Sequence, residues 1–327
     1  MNPQTSIPTP VDLACLAGLD EAGLGPVLGP LVVAGAALSG PRGADPWKLL
    51  QAHVSRDRHE KGRVRVADSK KVHQGVHGFA RLEATVLTFW GAAHGRLPAT
   101  LAEWLTALGV DVVRLQICPW YRDLALPLPH AQPRPGIELH AHLLRRAMDA
   151  AGVAITQFAA RPVDVDEWNE WIDVTDNKSR AHFRAYAEVL ELLLKGVPGG
   201  AHVVADRCGG IAHYVPSLRR AWPTAVVHVL EEGNAVSRYG IETRNGSVQV
   251  TFATGGEQRA FPTALSSCIA KYLRELMVLL LNRWFRDRLP GLVPTAGYYV
   301  DGHRFLTDVA PVVAAEGIPA RILVRSR

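Results

Sequence analysis

Leu13 to Leu38 read LACLAGLDEAGLGPVLGPLVVAGAAL, and the fold turns on this stretch. Leu13–Leu19 is short and apolar and ends at Asp20 and Glu21, as a buried strand would. A glycine-proline turn follows. Leu31–Leu38 is a second apolar strand, so the two form a hairpin with a wide turn. Neighbours on a strand point to opposite faces. One of the two carboxylates is therefore driven toward the core, which is costly unless something pairs with it. A glycine turn that breaks the strand would bring both sets of oxygens to one concave site, the arrangement hard divalent cations need. The plainer alternative is a hairpin whose acidic pair is only solvated. Gly23-x-Gly25-x-x-x-Gly29 is a poor dinucleotide fingerprint, because Pro30 and a strand follow it rather than a helix. The uncharged run from Ala22 to Pro41 is long enough to cross a bilayer. Its five glycines and three prolines and the acids just upstream argue against a span.

Outward from this hairpin, strands and helices alternate. Helices are expected at 81–91, 140–151, 179–195, 214–222, 264–288 and 301–315, and strands at 110–118, 153–159, 202–205, 225–230 and 321–324. Ile241–Thr243 and Val248–Phe252 flank Asn245-Gly246, a strong hairpin turn. The pattern is α/β, a mixed β-sheet flanked by helices. Residues 1–12 lack the basic start of a signal peptide and read as a flexible tail. Length alone allows the remaining chain, 13–327, to be one large domain or two ordinary ones.

The composition bounds the partners. The chain has 327 residues, 48% hydrophobic and 20% charged, as in a soluble globular protein. Lys and Arg number 36 against 31 Asp and Glu, a net +5 that weakly favours an anionic partner. The four cysteines are far apart and form no CxxC pair. That excludes a zinc ribbon and suits a reducing cytoplasm. Arg42–Lys71 is rich in basic residues and reads either as a phosphate-facing edge or as a solvated loop and helix.

Three further constellations carry possible chemistry. His202-Val-Val-Ala-Asp206 is a buried strand ending in a carboxylate, and strand ends line α/β clefts; a helix cap is the alternative. Ser267, Lys271 and Arg274 fall on one face of the 264–288 helix, a hydroxyl and two cations in a line that suits successive phosphates. An ordinary solvated face is the plainer reading. Tyr298, beside Gly297, is placed to stack on a base or sugar if exposed.

In this order the pieces resemble a known family. Asp20-Glu21-Ala22-Gly23-x-Gly25-Pro26, Asp68-Ser69-Lys70-Lys71, a strand ending at Asp206, Ser267-x-x-Ala270-Lys271 and Gly297-Tyr298 together look like the type 2 ribonuclease H family, in a divergent branch. The resemblance covers roughly 13–71 and 170–313, and implies a ribonuclease H-like domain with an inserted α/β region at about 72–165. It implies that Asp20, Glu21 and Asp206 are catalytic and bind Mg²⁺ or Mn²⁺ in a two-metal site. Glu257 falls where the fourth carboxylate is expected, with Asp301 as its rival. Ser69, Lys70, Lys71, Ser267, Lys271 and Arg274 are implied phosphate binders. Tyr298 and the Gly23-Leu24-Gly25 turn are implied to contact the ribonucleotide. The implied activity is a metal-dependent endonuclease that hydrolyses RNA in RNA–DNA hybrids or in ribonucleotide-containing duplexes. The family's turn carries Arg or Lys where this chain has Leu24. A related nuclease of shifted specificity, and a non-catalytic nucleic-acid-binding protein of the same fold, are therefore the alternatives.

Overall fold

The computed structural model describes residues 13–195, 201–209, 211–243 and 246–326. The tail 1–12 and the turn residue Asn245 lie outside the described residues. The chain opens with strands β1 (Leu13–Ala22) and β2 (Leu31–Pro41), then helix α1 (Pro46–Leu49), short strands β3 (Val54–Ser55) and β4 (Val64–Arg65), and α2 (Ser69–Val72). A helical stretch follows: α3 (Gly78–His94), α4 (Leu101–Ala107), α5 (Val112–Leu115) and α6 (Arg134–Ala151). Next come β5 (Ala154–Val163), α7 (Val165–Thr175), α8 (Lys178–Lys195), β6 (His202–Asp206), α9 (Val215–Ala221) and the meander β7 (Val226–Glu232), β8 (Val236–Thr243) and β9 (Gly246–Ala253). Helices α10 (Gly256–Arg259), α11 (Phe261–Arg286), α12 (Tyr299–Ala315) and α13 (Ala320–Leu323) complete it.

Seven strands form one mixed sheet in the order β5-β2-β1-β6-β9-β8-β7. The β1–β2 hairpin is antiparallel, whereas β6 runs parallel to both β1 and β9. Period-2 alternation divides the strands between two cores. Val32, Ala34, Ala36 and Leu38 face the layer of α3, α6 and α11, while Leu31, Val33 and Ala37 face α7 and α8. The sheet is thus covered on both faces, as strands with near-continuous apolar sequence require. Close approach is built in at Gly18, where a Cβ would lie 2.1 Å from the Thr263 nitrogen of α11. The 72–165 region shares this core. It supplies β5, which pairs with β2, and α3, which packs on α11.

Two expected strands are helical. Val110–Cys118 contains α5, because the Asp111 side chain accepts from the Val113 and Arg114 amides and caps a helical turn. Arg321–Val324 falls largely in α13, whose start follows Pro319. Both runs are too short for apolar periodicity alone to separate strand from helix. No helix among the described residues is long and apolar enough to cross a membrane.

A candidate metal centre at the ends of two parallel strands

The parallel pairing of β1 with β6 puts Leu19 opposite Ala205, so the next residues, Asp20 and Asp206, lie side by side at the sheet end. Ligand atoms of Asp20, Glu21 and Asp206 lie within 4.8 Å of one another. Among the described residues no other group of three His, Cys, Asp or Glu side chains converges this way. The acids converge by a route the sequence did not indicate. β1 is not broken; it runs through both acids, with Asp20 opposite Ala34 and Glu21 opposite Val33. Asp20 therefore lies on the α11 side and Glu21 on the α8 side. Lying at the end of β1, the two carboxylates still come together there despite starting on opposite faces.

The environments of the three acids differ. Asp20 is 7% exposed. Burial pushes its pKa well above the aspartate range, and the charges of Glu21 and Asp206 push it further, against hydrogen bonds from Ser267 and the Glu21 amide. Burial also raises Asp206, to about 6, with Glu21 and Glu257 adding to the rise and the Gly256 amide, 2.9 Å from Oδ1, opposing it. Glu21 goes the other way. Burial alone would raise it, but the His182 imidazole, the Tyr186 hydroxyl and the Lys70 charge together hold it below its ordinary range. Tyr186 donates to Glu21 Oε2, and His182 Nε2 sits 3.7 Å from the same oxygen. His182 is 1% exposed. Burial and mutual repulsion oppose ionisation of Asp20 and Asp206 beside Glu21, and three facing carboxylates are a donor set that suits a hard divalent ion.

Glu257 lies on α10, one residue after the amide that holds Asp206, and its charge reaches Asp206. It is not among the three converging groups; its Oε1 accepts from Gln258 Nε2 at 3.3 Å. Asp301 is occupied elsewhere. It accepts from Thr295 Oγ1 at 2.5 Å and the Ala296 amide at 2.7 Å and pairs with Arg304 at 2.7 Å. That favours Glu257 over Asp301 as a fourth carboxylate.

The expected phosphate line along α11 needs correction. Ser267, Lys271 and Arg274 do share a face, but the face is covered. Ser267 is 3% exposed, and its Oγ lies 3.0 Å from Ser69 Oγ and accepts the Ser69 amide at 3.2 Å, which docks α2 onto α11. Lys271 pairs with Glu275 at 2.6 Å. Arg274 is 1% exposed and donates to the Ala296 carbonyl at 3.0 Å, so it cannot meet a phosphate in solvent. It serves instead as a strut under the glycine turn. Gly23 has φ +91°, and a Cβ there would lie 2.4 Å from Arg274 Nε and 2.5 Å from the Pro30 oxygen. The reason is that α11 is a central helix, buried nearly all round, whose polar residues must find partners inside the fold.

The remaining candidates sit around this turn. The Gly297 carbonyl accepts from the Val27 amide at 2.8 Å and the Leu28 amide at 3.2 Å, which ties the C-terminal segment to the turn. Tyr298 follows, 51% exposed, its ring 5.8 Å from the Arg274 guanidinium. Leu24 packs partly against the α7–α8 core and lies 3.6 Å from the Cβ position of Gly209. Lys70 and Lys71 are exposed at α2, whose cap is Asp68. Arg325 was invisible in sequence. It is buried under the turn, donates to the Gly23 carbonyl and stacks 4.2 Å over Trp168. His182 and Tyr186 were also missed. Their i, i+4 spacing on a helix put them on one face, but nothing local said that the face meets Glu21.

The fold and site define an α/β protein with a three-carboxylate centre at the ends of adjacent strands. No family model matches the sequence, and no curated protein does. Solved structures give more. The chain is similar to RNase HII of Archaeoglobus fulgidus in its complex with PCNA: 17% identity, TM-score 0.43, 95% of this chain and 94% of that one. It is similar to Bst-RNase HIII in complex with Mn²⁺, with 14% identity and TM-score 0.45 over 95% of this chain and 66% of that one. It is also similar to ribonuclease H2 of Pyrococcus horikoshii OT3, with 14% identity and TM-score 0.38 over 94% and 92% of the two chains. At such identities and scores no role passes from one chain to the other. What this protein does must follow from its own side chains.

Proposed function

We propose that the protein is a ribonuclease H-like endonuclease that hydrolyses phosphodiester bonds of RNA in RNA–DNA hybrids with two divalent cations, Mg²⁺ or Mn²⁺. The observation that carries this reading is the convergence of Asp20, Glu21 and Asp206 within 4.8 Å. These three would hold the ions, with Glu257 as the adjoining fourth carboxylate. Bound there, such ions supply an activated water and neutralise the charge that develops on the phosphate and leaving oxygens. The protein's part is to position. Tyr186 and His182 hold one Glu21 oxygen, and the Gly256 amide holds one Asp206 oxygen, which fixes how each carboxylate faces the centre.

The substrate side is read from the turn. Gly25 is exposed, has no left-handed φ, and a Cβ there would meet nothing of the protein within 4 Å. The fold does not require glycine at this position, whereas a substrate backbone approaching closely would. Tyr298 offers an exposed ring for a sugar or base, and Lys70 and Lys71 offer cations for phosphates. The four cysteines are unpaired, in keeping with a reducing compartment such as the cytoplasm.

Leu24 favours a second reading, a nuclease of shifted specificity. Its side chain turns toward the core and presents no charge to a ribonucleotide, leaving only main-chain groups to sense a 2′-hydroxyl. A cleavage panel tests both. Purified protein with Mn²⁺ or Mg²⁺ is given a matched hybrid, a DNA duplex holding one ribonucleotide, and an all-DNA duplex. Metal-dependent cutting of the hybrid supports the first reading, and preferential cutting of DNA supports the second. Cleavage of none, with salt-sensitive binding retained, would mean a binding protein.

A further inference from the structure

Between His53 and Lys71 the chain carries seven Lys and Arg against three Asp and Glu. That net +4 in one short segment compares with +5 for the whole protein. The structure shows how the charge is displayed. β3 and β4 pair in parallel, Val54 with Val64 and Ser55 with Arg65. Val54, Val64 and Val66 are buried in the α11-side core. The intervening residues 56–63 therefore form an arm on the surface. Arg58 has a side chain 83% exposed, and Lys61 is exposed beside it.

Both ends of the arm are pinned to elements that border the carboxylates. Arg56 donates to the Gln258 carbonyl on α10, the helix whose first amide holds Asp206. Its guanidinium lies 4.3 Å over Trp47, whose indole donates to the Val66 carbonyl at 2.9 Å and packs edge-on to Phe261 of α11. At the other end Arg65 donates to the Lys71 carbonyl at 3.1 Å, in α2, and to the Asp57 carbonyl at 2.7 Å. The neighbouring Lys70 is the cation felt by Glu21. Arg56 and Arg65 thus anchor the arm. Arg58, Lys61 and Arg63 are the cations it carries outward. Glu60 sits among them, 2.7 Å from Arg63 and 3.7 Å from Arg58, and residues 56–63 still carry four Lys and Arg against two Asp and Glu.

We infer that this arm is a second nucleic-acid contact, one that binds the phosphate backbone of the duplex flanking the cleavage centre. The inference rests on the nuclease reading for what lies at the centre, but the charge and the anchoring stand without it. A chain of phosphates that passes the three carboxylates between α10 and α2 meets the arm next, and a row of cations beside an acidic centre is what keeps a polyanion there. Contacts of this kind add affinity and salt dependence and carry no sequence information.

The test uses the full chain and a fluorescent duplex of ~30 base pairs, with binding followed by anisotropy across a salt series and no divalent metal added. Arg58→Ala with Lys61→Ala is compared with wild type and with Arg219→Ala/Arg220→Ala, two exposed arginines of α9 on the opposite face of the sheet. The arm variant is expected to bind roughly tenfold more weakly, with the slope of log K against log salt shallower by about 2, while the α9 variant keeps the wild-type slope. Arg58→Lys, which keeps the charge, restores most of the slope and separates electrostatics from folding. An arm variant with the wild-type slope overturns the inference, and hybrid cleavage by the wild type would then still support the nuclease reading. Loss of slope in a protein that cuts nothing would uphold the arm and remove the nuclease.

Discussion

Glu83 and Asp20 are both buried carboxylates, and the fold treats them in opposite ways. Glu83 of α3 is 0% exposed and fully satisfied. It accepts the amides of His130, Ala131 and Gln132 at 2.5 to 2.7 Å and the Tyr272 hydroxyl at 2.7 Å. Four donors on two oxygens make it a latch that ties the 130–132 loop and α11 to α3. Asp20 is nearly as buried, yet its closest company includes two other acids. One carboxylate is matched by donors on both oxygens, while the other accepts from the Glu21 amide and Ser267 yet faces two like charges. Burial alone is therefore not a sign of function.

The largest expected effect separates the two sites directly. Asp20→Asn and Asp206→Asn should each cut metal-dependent turnover by about a thousandfold, roughly 4 kcal/mol of barrier. The same changes should raise the melting temperature of the metal-free protein at pH 7, because a repelling charge is removed. A lowered melting temperature in calorimetry would show that these acids are structural like Glu83, and the contrast would fail. Glu83→Gln should do the reverse. It leaves donors without a full carboxylate partner and costs about 2–4 kcal/mol of stability, with turnover per folded molecule unchanged. Denaturant unfolding beside an active-fraction assay measures both.

A pH profile sharpens the comparison at smaller scale. The Asp206 pKa is raised in the folded state to about 6, so between its ordinary 3.8 and about 6 the folded chain holds a proton that the unfolded chain has lost. Its contribution is therefore fully present below about pH 4 and is lost as pH rises through 6, on the order of 3 kcal/mol. Glu21, with its pKa lowered, runs in the other direction. The quantity to measure is thus the wild-type profile minus that of Asp206→Asn, without metal. A flat difference would mean that Asp206 is compensated after all. Smallest in stability is Gly25→Ala: no change in melting temperature, but a KM for hybrid raised several-fold by the added methyl. Gly23→Ala, which forces φ +91° on a residue with a Cβ against Arg274, should instead lose about 2 kcal/mol of stability. Equal melting temperatures for the two variants would refute this division of the turn.

Much of the site was legible because its signals are local. Asp20-Glu21 at the end of an apolar run, Asp206 at the end of another and the glycine-proline turn after the acids all declare themselves within a few residues. Arg274 was legible as a cation on a helix face but not as a buried strut, since periodicity cannot say which face of a helix buried all round meets solvent. His182 was hidden for the same reason. Val110–Cys118 and Arg321–Val324 were misread as strands because a capping aspartate and a proline outweigh a few β-branched residues.

The sequence by itself determined the alternation of strands and helices, the acids at two strand ends and the concentration of positive charge before Asp68. These follow from chain-local physics: apolar periodicity, turn chemistry and charge count. Only the tertiary structure decided that β6 lies parallel against β1, that acids from opposite faces of one strand meet at its end, and that Arg274 of α11 points inward. The reason is that pairing partners and buried faces depend on contacts between residues as much as 302 positions apart, such as Arg325 with Gly23, and no local pattern records them.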